Sequence, residues 1–287
     1  MAVMADAMVG ANRHKSAGRA QASLLPSTLT YLGLVAMNIL ADRDGSATAE
    51  TVPGLAATVA AAAAAGPAPV EEDEGDDDAV LPACTTALSC NRESSFNTRA
   101  ELDICGLVGV FCTHGFPALG CILAMTAPEN HSYYDAVFSF LFRHKWSIGQ
   151  VYLDLMCRYK ARLLRLLQRL VDLGQLPQES LDRLKCLVPW MHAFDHDLKC
   201  QLKHSGLYAD NAGRRIGEQS ESVWSIIKAF AKRARYMTYR NWWDGYNFFF
   251  EFLTAVRQRD MAQTLQRKLK NIEVKIGEDN NFYRLFY

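Results

Sequence analysis

Three side chains that commonly bind metal, His192, His196 and Cys200, recur every fourth residue in WMHAFDHDLKC, and two carboxylates, Glu218 and Glu221, follow in GEQSESVW. On one continuous helix, spacing of four would place His192, His196 and Cys200 on a single face, within reach of Zn²⁺ if a fourth ligand came from Cys157, Cys112 or His114. A hydrogen-bonded core histidine pair and histidines lining a polar cleft are the competing explanations. Cys112 and His114 lie two apart in an expected strand and would share a face.

Asp154 interrupts the apolar run QVYLDLMC, where an ionised carboxylate without a partner is costly. It is either a metal ligand at a strand end or the partner of a neighbouring arginine such as Arg158. Glu218 and Glu221, three apart at a helix start, can point to one side, although acidic residues there also complement the helix dipole. If Asp154 meets Glu218, phosphoryl transfer on paired Mg²⁺ or Mn²⁺ ions becomes the natural chemistry. No nucleophile signature surrounds Cys112 or Cys157, and no Walker loop or dinucleotide glycine fingerprint occurs.

Positioning these groups requires a scaffold, and the apolar periodicity supplies one. CGLVGVFCTHG and ALGCILAMT predict a hairpin, PENHSYYDAVFSFLFRHK a helix, QVYLDLMC a short strand, and RYKARLLRLLQRLVDLG an amphipathic helix closed by Gly174. A further helical turn, a short strand from Cys186 to Trp190, and helical pattern from Gly217 to about Ile276 follow. Two antiparallel strands succeeded by strand and helix in alternation imply an α/β fold, a ribonuclease-H-like mixed sheet with flanking helices and an all-helical C-terminal extension. The expected organisation is an N-terminal segment over 1–83, a core over 84–230 and the extension over 231–287. Within the first segment, LTYLGLVAMNIL (29–40) is a possible first strand. The Ala-rich and acidic stretch after it, ending in EEDEGDDD, has the composition of a disordered linker.

The 287 residues carry 31 basic and 31 acidic side chains, but unevenly. Residues 1–142 hold 6 Lys and Arg against 16 Asp and Glu, and residues 143–287 hold 25 against 15. The basic half suits a polyanionic partner or a solvated helical surface. Eight cysteines without a secretory leader layout argue for reduced thiols. No apolar run approaches the roughly 18 residues of a membrane helix.

Taken in order, ELDICGLVGVFCTHGFPALGCI, VYLDLMCRY, WMHAFDHDLKCQLKHSGLYADNAG and GEQSESVWSIIKAFAKRARYMT resemble the Kyakuja-Dileera-Zisupton transposases, whose core is ribonuclease-H-like. The resemblance implies DNA as partner, a nuclear location, catalytic roles for Asp154 and Glu218 with Glu221 as a second claimant, and metal chelation by Cys112, His114, Cys157, His192, His196 and Cys200. It also implies a further catalytic aspartate on the first strand. In 29–40 and just beyond, the chain offers Asn38, Asp42 and Asp44, none in the expected motif. Two outcomes are therefore carried forward: a metal-dependent transposase or transposase-derived protein, and a non-catalytic nucleic-acid or protein interaction module that keeps the fold. Aromatic residues in RNWWDGYNFFFEF fit core packing or an interface, and the C-terminal helices could mediate oligomerisation.

Overall fold

A computed structural model describes residues 2–8, 11, 13–14, 84, 102–126, 129, 131–144, 147–210, 212 and 219–286. The range 29–40, with Asn38, and also Asp42, Asp44, Arg214, Arg215 and Glu218, lies outside them.

The architecture is mixed α/β. Five strands form one sheet: β1 (Ala2–Met8), β4 (Gly106–Cys112), β5 (Pro117–Met125), β6 (Gln150–Tyr152) and β7 (Lys185–Leu187), in the order β5-β4-β1-β6-β7. A small second sheet pairs β2 (Arg13–His14) with β3 (Leu102–Ile104). Strand β4 is antiparallel to both β1 and β5, whereas β1, β6 and β7 run parallel. The hairpin expected around Phe116 and Pro117 is β4–β5, and its tight return uses Gly115 at φ 79.

The central strand comes from the extreme N-terminal stretch AVMADAM, so the core begins ahead of the boundary placed at residue 84. Alanine and methionine have little intrinsic strand preference, and burial on both faces removes the alternation that marks a strand. Flanking chains therefore decide its conformation: Val3 to Met8 pair with Cys112 to Leu107, and Ala2 to Met4 with Gln150 to Tyr152.

One face of the sheet packs on α1 (His131–Arg143) and α2 (Met156–Asp172). In α2, Tyr159, Leu163, Leu167 and Leu170 recur at helical spacing and are buried, with Gly174 at φ 68 just past the end. Each such side chain stabilises by about 1.5–3 kcal/mol on burial. The opposite face is covered by α6 (Gln219–Ala234) and α7 (Tyr239–Phe286). Trp224, Trp242, Tyr246 and Phe250 pack there against Leu107, Phe111 and Ile122. Core packing thus claims most of RNWWDGYNFFFEF, with Phe248 and Phe252 left exposed. The expected C-terminal helical pattern is two helices from Gln219 onward, interrupted at residues 235–238.

Between β7 and α6 lie α4 (Trp190–Ala193) and α5 (Leu198–His204), following the short α3 (Gln178–Asp182). The expectation that His192, His196 and Cys200 share one helix is corrected here. The first helix ends at Ala193, His196 sits in the turn, and Asp197, extended at φ −55 and ψ 146, restarts the chain as α5.

Candidate functional site

Parallel strands leave their carboxyl ends on one edge, and Asp6 and Asp154 both belong to that edge of β1 and β6. The register Ala2↔Gln150, Val3↔Val151, Met4↔Tyr152 runs β1 alongside β6, and Asp154, in the turn two residues past β6, stands close enough to Asp6 for their charges to interact. Asp6 was missed in the sequence, where a lone aspartate among Ala and Met carries no motif; an acid inside a buried-looking apolar heptapeptide was the available signal. Burial pushes its carboxyl up to about 8, helped by the Asp154 charge and only partly opposed by the Ala7 N–H, which donates to Asp6 Oδ1 at 2.7 Å. A carboxylate so hard to ionise is one that a cation would relieve.

His192 completes the edge. Its Nδ1 lies 3.2 Å from Asp154 Oδ2 and its Nε2 2.7 Å from Glu221 Oε1. Burial opposes its imidazolium, yet Asp154 and Glu221 outweigh that and raise its affinity for a proton. Glu221 projects from the first turn of α6 and is half exposed at 53%. Tyr134 donates to Glu129 Oε1 at 2.5 Å, and burial followed by the charges of Glu129, Asp6 and Asp154 keeps its phenol protonated. Two carboxylates, one just past β6 and one at the start of α6, thus bracket one imidazole, and the Asp6 carboxyl on β1 is near enough to interact with both His192 and Asp154. Glu218 falls outside the described residues, and Glu221 is the α6 acid seen at this edge.

A second cluster lies one helical turn away. Cys84 Sγ, Cys157 Sγ and Cys200 Sγ stand 3.5, 3.6 and 3.3 Å from His196 Nδ1, and the four ligand atoms all lie within 4.8 Å of one another. Zinc bonds of about 2.3 Å to sulfur and 2.0–2.1 Å to nitrogen set a tetrahedral S···N edge of about 3.6 Å, so the donor set fits zinc. The four side chains could hold a metal ion such as Zn²⁺. Burial pushes the Cys157 thiol up, the opposite of what a nucleophile needs.

Of the six residues expected to chelate metal, Cys157, His196 and Cys200 come together, joined by Cys84. Nothing in the sequence near Cys84, set among small and polar residues after an acidic tract, suggested it. His192 belongs instead to the carboxylate edge. Cys112 and His114 sit at the β4–β5 turn, where the Cys112 sulfur accepts from the His114 N–H at 3.4 Å and Arg257 Nη1 donates to the His114 carbonyl at 3.1 Å. They are apart because β4 lies on the far side of β1 from β6 and α2. The turn borders a cleft of about 290 Å³ between the start of α6 and the middle of α7, lined among others by Thr113, Gln219, Ser222, Arg257, Arg267 and Lys268. Gln219 and Ser222 of that lining flank Glu221 on the first turns of α6, whereas Lys232 and Arg233 occupy its last turn.

No helix among the described residues is long and apolar enough to cross a membrane. No curated protein and no solved structure matches the chain. The family model described as Kyakuja-Dileera-Zisupton transposase matches residues 6–253, opening at Asp6 and running through both clusters, α6 and the buried part of α7. A match of that extent makes this chain a member of the Kyakuja-Dileera-Zisupton transposase family.

Proposed function

We propose that the protein is a ribonuclease-H-like nuclease of the transposase type, acting on DNA in the nucleus with two Mg²⁺ or Mn²⁺ ions held by Asp6, Asp154 and an α6 glutamate. The observation that carries this reading is the contact of His192 with both Asp154 and Glu221, with Asp6 close enough to interact with Asp154, at one sheet edge. The strand order and directions support the fold assignment, with a three-stranded antiparallel unit continued by two parallel strands. Paired ions about 4 Å apart would stabilise the entering and leaving oxygens of an in-line displacement at phosphorus. Asp6, Asp154 and Glu221 would hold the ions, and Glu218, three residues before Glu221 in the sequence, is a further candidate donor. His192 contacts both Asp154 and Glu221, and either carboxylate would exchange that contact for a bound ion. Arg257, Arg267 and Lys268 would take the phosphodiester backbone leading to that edge.

A non-catalytic module was the rival reading because a first-strand acid was missing from 29–40; Asp6 weighs against it. The deciding experiment is Mn²⁺-dependent cleavage of a DNA duplex by the full chain and by Asp6→Asn and Asp154→Asn. Cleavage that needs metal and both carboxylates upholds the reading, and metal-independent or absent cleavage sinks it.

Self-association belongs to the same proposal. On α7, Ala262, Leu265, Leu269 and Ile272 alternate three and four apart and are solvent-exposed, Leu269 at 57%. That spacing would suit a short coiled-coil seam. In a parallel pair, Lys268 of one copy would meet Glu273 of the other across its edge, so a second copy of this chain is the occupant the charges favour.

A further inference from the structure

We propose that the Cys84, Cys157, His196 and Cys200 centre holds one structural zinc ion that fixes Asp154 and His192 in place. The divalent-ion affinity of the carboxylate edge would then depend on a metal the carboxylates never touch. The inference rests on the reading of Asp6, Asp154 and Glu221 as metal ligands.

The connection is short and covalent. Cys157 lies three residues after Asp154, and the chain between them is tightly wound, with the Met156 N–H donating to Leu153 O at 2.9 Å and the Arg158 N–H to Leu155 O at 3.0 Å. His196 lies four residues after His192, bridged by the Asp195 N–H to His192 O at 3.1 Å and the His196 N–H to Ala193 O at 3.1 Å. A third link crosses between the two segments. With Nδ1 turned toward the three sulfurs, the His196 ring also hydrogen-bonds the Asp154 backbone. A ligating imidazole whose other nitrogen donates to a fixed acceptor orients both partners.

Apolar packing supplies little of the rigidity this corner needs. Helices α4 and α5 have 4 and 7 residues, too short to persist alone, and between them bury the side chain of Ala193 only. Met191, Phe194, Leu198 and Leu202 are all exposed. Zinc binding can contribute folding free energy outright, and here it would tie the first turn of α2, the turn before α5 and α5 itself into one unit. The fourth ligand, Cys84, comes from the long stretch between β2 and β3, and its carbonyl accepts from Arg158, the residue after Cys157. Metal at this centre would therefore also hold Cys84 beside the first turn of α2.

The test uses the full chain. Zinc content is measured by elemental analysis, Mn²⁺ binding by titration with paramagnetic-resonance detection, and amide hydrogen exchange over residues 150–157 and 188–200 by mass spectrometry. Cys84→Ser should drop zinc below one per chain, speed exchange in both segments and weaken Mn²⁺ binding about tenfold or more, the size expected for loss of outer-shell support. His196→Cys offers four thiolates and should retain zinc while losing the ring contact to Asp154, again weakening Mn²⁺ binding. Folded, zinc-depleted Cys84→Ser protein with unchanged Mn²⁺ affinity and unchanged exchange overturns the proposal. If the native chain binds zinc but no Mn²⁺, the nuclease reading fails on its own, and the exchange measurement still decides whether zinc fixes the Asp154 and His192 segments.

Discussion

Asp6 on β1 and Asp154, two residues past the parallel strand β6, are near enough to interact, and burial, reinforced by the charge of Asp154, holds Asp6 protonated up to about pH 8. The sign of the consequence is definite. Between the ordinary carboxyl value of 3.8 and about 8 the folded protein keeps a proton that the unfolded chain has released, so stability falls as pH rises through that window. Thermal melts without added Mg²⁺ or Mn²⁺ should show this slope, Asp6→Asn should flatten it, and added Mn²⁺ should reverse it by favouring the ionised form. An unchanged slope in Asp6→Asn would show that Asp6 does not carry the burden.

His192→Ala should keep a full equivalent of zinc, since the ring faces Asp154 and Glu221 rather than the thiols. Elemental analysis of the purified variant checks this directly. Loss of zinc would return His192 to the ligand set first read from its spacing.

Replacing Arg257 or Lys268 by Gln should weaken DNA binding across all sequences alike and lower the slope of log affinity against log salt by about 1 for each contact removed. Lys232→Gln, at the far end of α6, should change neither quantity comparably. Fluorescence anisotropy at several salt concentrations separates the two.

Leu265→Asp with Leu269→Asp should convert a self-associated chain to monomer without lowering the melting temperature of the core, because both side chains are exposed in the single chain. Sedimentation equilibrium reads the mass. A wild-type chain that is monomeric at micromolar concentration would end the coiled-coil assignment.

Trp242→Ala removes a fully buried indole from the cluster behind β4, and a loss of about 3–5 kcal/mol is expected from denaturant unfolding.

The elements most legible in the sequence were those with strong period. The Leu163, Leu167, Leu170 stripe of α2 and the β-branched runs around Val108 and Ile122 fold as their patterns demand. Strand β1 was illegible because its conformation is imposed by neighbours, and with it went Asp6. The metal cluster was half legible. Spacing of four brought His196 and Cys200 into view, but the same spacing drew in His192, because a helix break at residues 194–197 leaves no periodic trace. Cys84 had no local signal at all: its partners are 73 to 116 positions away, and only the fold brings them together. Cys112 and His114 looked like ligands by type, yet the topology puts a whole strand between them and the other thiols.

The pairing of β2 with β3 joins distant parts of the chain. Arg13 and His14 meet Ile104 and Leu102 in antiparallel register, and Arg13 is further tied to Asp103 and to the Met237 carbonyl, 3.1 Å from its Nε. The two strands that flank residues 15–101 are therefore clasped to each other and, through Arg13, to the turn between α6 and α7. One buried guanidinium thereby staples three distant parts of the sequence, near residues 13, 103 and 237, into a single corner.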